Sequence, residues 1–240
     1  MGKVTAIIVA AGSGKRMGTS CSKQFILLEQ KEILAHTLDK FNKCPCVDSI
    51  IVVIAPSDRE KVQKEICDKY GYHKVTKLID GGKERQDSVY NGLLSVDDQT
   101  DFVIVHDGAR PFVTHDIIIN CLEIAKKHGA SIVAVPVKDT IKVCNDITHK
   151  VERTPDRKTL WNIQTPQIFS YKLLVDAYHY AYQNNIQATD DSMLVEHMGH
   201  EVYLSNGAYT NIKITTQEDL IVAERILSET MHIDKKDSHI

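Results

Sequence analysis

Three cations and a pair of glycines crowd the end of the first apolar run. Residues 4–10 read VTAIIVA, and the chain continues AGSGKRMG, with Ser22-Lys23-Gln24 close behind. Gly12 and Gly14 permit close backbone approach and unusual φ. Their N–H groups can point at phosphate oxygens, and Lys15, Arg16 and Lys23 bring positive charge to the same loop. The plain alternative is a tight strand-to-helix turn with solvated cations. Lys plus Arg is 29 and Asp plus Glu is 32, a net charge of −3. An anionic ligand must therefore be held by local cations rather than by a global field, and this clustering favours phosphate binding.

Two common phosphate templates fail on spacing. A Walker A loop needs glycine five residues before its Gly-Lys and Ser or Thr after it, but Val9 and Arg16 hold those places. The dinucleotide fingerprint puts its third glycine at Met17. Elsewhere, Asp107 ends the run DFVIVH, where a strand's carboxyl end gathers ligands in open α/β sheets. A carboxylate there suits Mg²⁺, which binds one or two carboxylates plus substrate phosphates; the plain alternative is a turn aspartate. Arg110 beside it marks either a polar site or a structural ion pair. His106 reads as a structural strand-end histidine. The six cysteines form no CxxC and no zinc spacing, which predicts reduced thiols and a cytoplasmic location.

Short apolar runs at 4–10, 49–55, 74–79, 101–106 and 130–137 fit strands buried on both faces of a mainly parallel sheet. Helical patterns alternate with them: 33–42, 57–70 (opened by a Ser57/Glu60 capping box), 86–95 and 114–128. This order predicts a three-layer α/β fold. Residues 138–165 alternate apolar and polar around Asn145-Asp146 and predict a protruding β-arm. Helices are expected at 171–183, 190–197 and 217–227, extended segments at 201–205 and 212–214, and a frayed polar tail at 231–240. One domain over 1–230 carries the arm. No run is long enough to span a membrane, and the charge balance calls for no nucleic acid.

The glycine-rich loop with Ser22-Lys23-Gln24 resembles nucleotidyltransferases that join a nucleoside triphosphate to a phosphorylated sugar or polyol. DGGKERQDSVYNGL (80–93), VHDGARPF (105–112), PVKDTIK (136–142), TPDRKTLWNIQTPQIF (154–169), TDDSMLVE (189–196) and NIKITTQEDL (211–220) extend the match. Together they resemble the 2-C-methyl-D-erythritol 4-phosphate cytidylyltransferase family of non-mevalonate isoprenoid biosynthesis. Ribitol-5-phosphate cytidylyltransferases share the loop, the Gly-Gly motif and NIK; TPDRKTLW and TDDSMLVE look more like the methylerythritol family. A catalytically silent nucleotide binder is the third alternative, since fold does not fix function.

The resemblance implies a Rossmann-like fold of the nucleotide-diphospho-sugar transferase type. It implies attack of a phosphomonoester oxygen on the α-phosphorus of CTP, with Mg²⁺ as the divalent cation. Arg16, Lys23 and Lys213 are then the groups that stabilise the reacting phosphate, and Lys15 holds the outer phosphates. Ala10, Ala11, Gly12 and Gly14 line the nucleotide, and Gly81, Gly82 and Ser88 fit the base. Asp107 and Arg110 lie by the metal and second substrate. Thr140, Arg157 and Thr165 on the arm, with Thr189, take the polyol phosphate, the arm reaching across a homodimer. Arg85 braces the base loop. The family's pattern is broken at Val9, where proline is common, and at Gly108, where alanine is frequent.

Overall fold

The computed structural model describes residues 2–12 and 23–237, without the side chains of Lys23 and of residues 230–237. Gly14, Lys15 and Arg16 lie outside the described residues, as does the Lys23 side chain.

The described strands are β1 (Lys3–Ala10), β2 (Leu27–Leu28), β3 (Lys31–Glu32), β4 (Ser49–Ile54), β5 (Val75–Asp80), β6 (Thr100–Asp107), β7 (Ala130–Pro136), β8 (Val143–Cys144), β9 (Val151–Arg153), β10 (Trp161–Ser170) and β11 (Tyr203–Asn206). Seven of them form the central sheet in the order β11-β7-β10-β6-β1-β4-β5. β6, β1, β4 and β5 are parallel neighbours, β11 is parallel to β7, and β10 runs antiparallel to both β6 and β7. Continuous apolar runs form β1, β4, β6 and β7 because helices cover both faces; β5, expected to be buried on both faces, is instead a half-exposed strand at the sheet edge. One face packs Ile8 and Val52 against Leu34, Leu38 and Phe41 of α1 (Ile33–Lys43) and Ile118 and Leu122 of α4 (His115–His128). The other packs Ile7 and Val105 against Val89 of α3 (Arg85–Leu93), Leu174 and Tyr178 of α5 (Tyr171–Gln183), and Leu194 of α6 (Asp191–His197). The fold is the expected three-layer, mainly parallel α/β architecture.

Four other local expectations change. The segment after β4 opens with Pro56 at the first position of a 3-10 turn (Pro56–Asp58), and the Ser57 hydroxyl turns to Asp58 instead of capping. It continues through α2 (Arg59–Lys61) into a π-helical stretch, Val62–Asp68. The capping box forms at α3, between Glu84 and Asp87. The projecting hairpin is β8–β9, closed by Asn145, whose side chain accepts from Ile147 and Thr148 N–H. Residues 161–165, expected on the arm, belong to β10 inside the sheet: Trp161 pairs with Pro136 and Ile163 with Ala134. Finally, α7 (Gln217–Asp237) carries the backbone as a helix well into the expected polar tail.

Candidate active site

The carboxyl ends of four parallel strands finish side by side. Val9 lies beside Asp107, Ala10 beside Ile54, and Ile54 beside Asp80. The loops that leave these ends are held close. Gly108 N–H donates to Val9 O at 2.9 Å and Gly81 N–H to Ile54 O at 2.7 Å. A Cβ on Gly81 would stand 2.3 Å from the Ala11 Cβ, and one on Gly82 would stand 2.2 Å from the Asp87 Cβ. Only glycine permits that approach. A cavity results, lined by Ala10, Ala11, Gly12, Gly82 and Ser88, with Arg85, Asp107 and Lys213 along one wall. Gly81 stands behind the lining and sets the loop's path.

Ser88 is buried, and two of its hydrogen-bonding positions are already used. Its Oγ accepts from Gly82 N–H at 3.0 Å and donates to Glu84 O at 3.0 Å. A hydroxyl has one proton and two lone pairs, so Ser88 retains one acceptor position and no donor.

Arg85, Asp107 and Lys213 also wall a second cavity, on the far side of Asp107, with Arg110, Thr165 and Thr189. Asp107 is therefore the partition between two adjoining pockets. Three segments bring cations to its carboxylate. Lys213 Nζ lies 2.9 Å from Oδ2, Arg110 Nε 3.3 Å from Oδ2, and Arg85 Nε 3.5 Å from Oδ1. Arg85 also pairs with the buried Asp191 at 2.9 Å, and Tyr178 Oη donates to that carboxylate. Three cations face two carboxylates, leaving the partition with a net positive charge. Burial pushes the Asp107 pKa up, but Lys213, Arg85 and Arg110 outweigh it and hold the group well below the usual carboxylate range.

The fully buried His106 is structural, as expected. Arg110 O, 3.1 Å from Nε2, can only accept, so Nε2 carries the proton. Nδ1 then accepts from the Thr165 hydroxyl at 3.0 Å, and Thr165 Oγ1 accepts from Asp107 N–H at 3.1 Å. Burial pushes the His106 pKa down to about 4, so the ring stays neutral at physiological pH.

Two expected placements are corrected. Thr165 is not on the arm: it lies buried in β10, with its hydroxyl committed to His106 and Asp107. Lys213 does not lie in the extended strand expected at 212–214. Residues 211–215 have no regular secondary structure, because Ile214 turns into a core cluster with Leu28, Ile33 and Ala109 and its N–H goes to Ala109 O at 2.9 Å. Thr189 lines the second cavity, and Asp190 caps α6 through Met193 N–H at 3.0 Å. Thr140 and Arg157 are exposed on the arm and line neither cavity of their own chain. Arg157 Nη1 donates to Lys138 O at 2.9 Å. Sequence reasoning gives no role to Asp191, Tyr178, Gln164, Gln167 or Asn211. The signals available are the acidic pair in TDDSMLVE and polar residues inside an otherwise strand-like TPQIF.

Among the described residues no group of three His, Cys, Asp or Glu could hold a metal. Asp107, the carboxylate that lines both cavities, fits Mg²⁺ held mainly by substrate phosphates and water, not a cation caged by protein. No helix among the described residues is long and apolar enough to cross a membrane.

A family model described as IspD, 2-C-methyl-D-erythritol 4-phosphate cytidylyltransferase, matches residues 4–229. The chain is 50% identical over 225 residues to the 2-C-methyl-D-erythritol 4-phosphate cytidylyltransferase of Alkaliphilus oremlandii (strain OhILAs), covering 94% of this chain and 95% of that one. It is likewise 50% identical over 224 residues to that of Clostridioides difficile (strain 630), covering 93% of each chain. The crystal structure of 4-diphosphocytidyl-2C-methyl-D-erythritol synthase from Anaerococcus prevotii superposes with a TM-score of 0.83 at 35% identity, covering 95% of this chain and 99% of that one. The Thermus thermophilus cytidylyltransferase gives 0.76 at 30% identity, covering 92% and 98%. By the family match over residues 4–229 and by half-identical relatives over nearly its whole length, this chain belongs to the 2-C-methyl-D-erythritol 4-phosphate cytidylyltransferase family.

Proposed function

We propose that the chain transfers CMP from CTP to 2-C-methyl-D-erythritol 4-phosphate, giving 4-diphosphocytidyl-2-C-methyl-D-erythritol and pyrophosphate. The observation that carries this reading is the partition itself. Two pockets meet at Asp107, Arg85 and Lys213, which is what an enzyme needs to bring two anionic phosphates together.

CTP occupies the pocket floored by Ala10, Ala11 and Gly12. Its base sits against Gly82 and Ser88, with Gly81 shaping the loop. The single acceptor position left on Ser88 matches the exocyclic amine of cytosine and has no proton for the carbonyl of uracil. The polyol phosphate occupies the second pocket, by Arg110, Thr165 and Thr189. A phosphate oxygen of the polyol attacks the α-phosphorus, a new P–O bond forms, and the bond to the β-phosphate oxygen breaks. The attacking oxygen is already an anion, so no general base is required. Lys213 moves from Asp107 toward the reacting phosphate, where Arg16 and Lys23 join it; Lys15 and Gly14 hold the outer phosphates. Fixed cations aimed at developing charge are the main source of rate in such a site. Asp107 would hold Mg²⁺, which neutralises phosphate charge when bound.

Arg157 and Thr140 act on the polyol phosphate of a second copy, making the protein a homodimer through its arm. The planar fork of Arg157 suits a phosphate. Because the reaction draws on CTP, we place it in the cytoplasm. Mass spectrometry of a reaction with CTP, Mg²⁺ and 2-C-methyl-D-erythritol 4-phosphate tests the reading. A product at the mass of the cytidyl diphosphate ester supports it; unchanged substrates with folded protein contradict it.

A further inference from the structure

Lys213 reaches Asp107 from a segment with no strand ladder to hold it, yet that segment is tied down at several points. Gly207 N–H donates to Ala134 O at 2.8 Å, and Gln164 Nε2 donates to Ala208 O at 2.8 Å. Asn211 is fully buried. Its Nδ2 donates to Gln164 Oε1 at 3.1 Å and to Thr165 O at 3.0 Å. Its backbone carbonyl accepts from Arg110 Nη1 at 2.9 Å. The side-chain orientation follows from the partners. Ala208 O can only accept, so Gln164 presents its amide nitrogen there and its oxygen to Asn211, and only the Asn211 nitrogen can face that oxygen. The Asn211 Oδ1 has no partner among the described residues. What Asn211 contributes is therefore a two-proton donor.

The partners of that donor are the ones that fix Asp107. Thr165 receives the Asp107 N–H, and Arg110 touches the Asp107 carboxylate. We infer that Asn211, clasped by Gln164 and Thr165 of β10, is a positioning residue for Lys213, holding the Nζ in register with the partition between the two pockets. This rests on the cytidylyl-transfer reading. Small displacements of a reacting group are costly, a shift of about 1 Å removing on the order of 100-fold in rate, so an unladdered segment that carries such a lysine needs a clasp.

Asn211→Asp is the direct test, because it keeps the shape and replaces the donor with a third acceptor facing two carbonyl oxygens. Gln164→Leu removes the clasp from the other side, and Gln164→Glu retains the acceptor that Asn211 uses. Each is assayed for pyrophosphate release in the wild-type and Lys213→Ala backgrounds, after wild-type turnover has been shown with the same substrates. The clasp predicts that Asn211→Asp lowers kcat by about 10- to 100-fold with little change in either KM, that Gln164→Leu, at a residue that also lines the second pocket, lowers kcat to a like extent, and that Gln164→Glu recovers part of that loss. In the Lys213→Ala background the same changes cost less than about 2-fold more, because the lysine they position is gone. Equal losses in both backgrounds overturn the inference. So does wild-type kcat in Gln164→Leu, which decides the matter if Asn211→Asp does not fold. A wild type that is inactive with methylerythritol phosphate strikes the proposed function instead.

Discussion

Lys213 Nζ stands 2.9 Å from Asp107 Oδ2, joining a loop beyond β11 to the carboxyl end of β6 across the boundary of two pockets. The pair places a cation at the wall that the two pockets share. Lys213→Ala should lower kcat by roughly 100- to 1,000-fold, the usual cost of one well-placed transition-state donor. The fold should persist, since Arg85 and Arg110 still face Asp107. Steady-state kinetics with a thermal-melt control checks both statements.

Acid should weaken the protein through His106 before it does so through Asp107. The His106 pKa is pushed down to about 4 by burial in the folded state, against about 6.5 in an unfolded chain. The unfolded chain therefore binds the extra proton first. The stability that neutral His106 contributes is complete above about pH 6.5 and is lost as pH falls toward 4, on the order of 3 kcal/mol in all. Asp107, held below the carboxylate range, adds a second loss only as pH falls below about 4. Denaturant midpoints from pH 7 to 4 should fall steeply for wild type and more gently for His106→Gln.

Base selection should depend on Ser88. Ser88→Ala removes the acceptor position proposed for the cytosine amine and the brace between Gly82 and Glu84. We expect KM for CTP to rise by about 10-fold, the equivalent of one lost hydrogen bond of about 1.4 kcal/mol, and the preference for CTP over UTP to narrow. Competition assays with both nucleotides measure it; an unchanged preference would remove Ser88 from base readout.

A trans role for Arg157 predicts complementation. In the proposed homodimer, Arg157→Ala and Lys213→Ala should each be nearly inactive alone. Co-expressed, they form mixed dimers with one intact site, restoring roughly a quarter of wild-type turnover in a statistical mixture of symmetric dimers. No recovery would put Arg157 on its own subunit's site or on neither.

The parallel strands are legible because burial on both faces leaves continuous apolar runs: β1, β4 and β6 show themselves that way. β10 does not. Its Gln164, Thr165 and Gln167 are buried polar residues whose side chains serve Asn211, His106 and α6, so the strand alternates like an exposed arm. Lys213 is legible through a resemblance, but its flanking isoleucines imitate a strand while one of them fills a core cluster. The acids at 190 and 191 look alike in sequence. The first, readable in sequence as a cap of the following helix, is that cap; only the fold makes the second the partner of Arg85, more than a hundred residues away. The loop of Lys15 and Arg16 is read from residue types, spacing and resemblance, and it lies outside the described residues.

The most direct test of the central claim is pyrophosphate release with CTP and Mg²⁺, comparing 2-C-methyl-D-erythritol 4-phosphate with ribitol 5-phosphate. Release is expected with the methylerythritol substrate, and little with ribitol phosphate. Preference for ribitol phosphate would contradict the assigned substrate while keeping the nucleotide pocket. Release with neither, from protein that binds CTP, would contradict the claim that the two pockets meeting at Asp107 are a working transferase site.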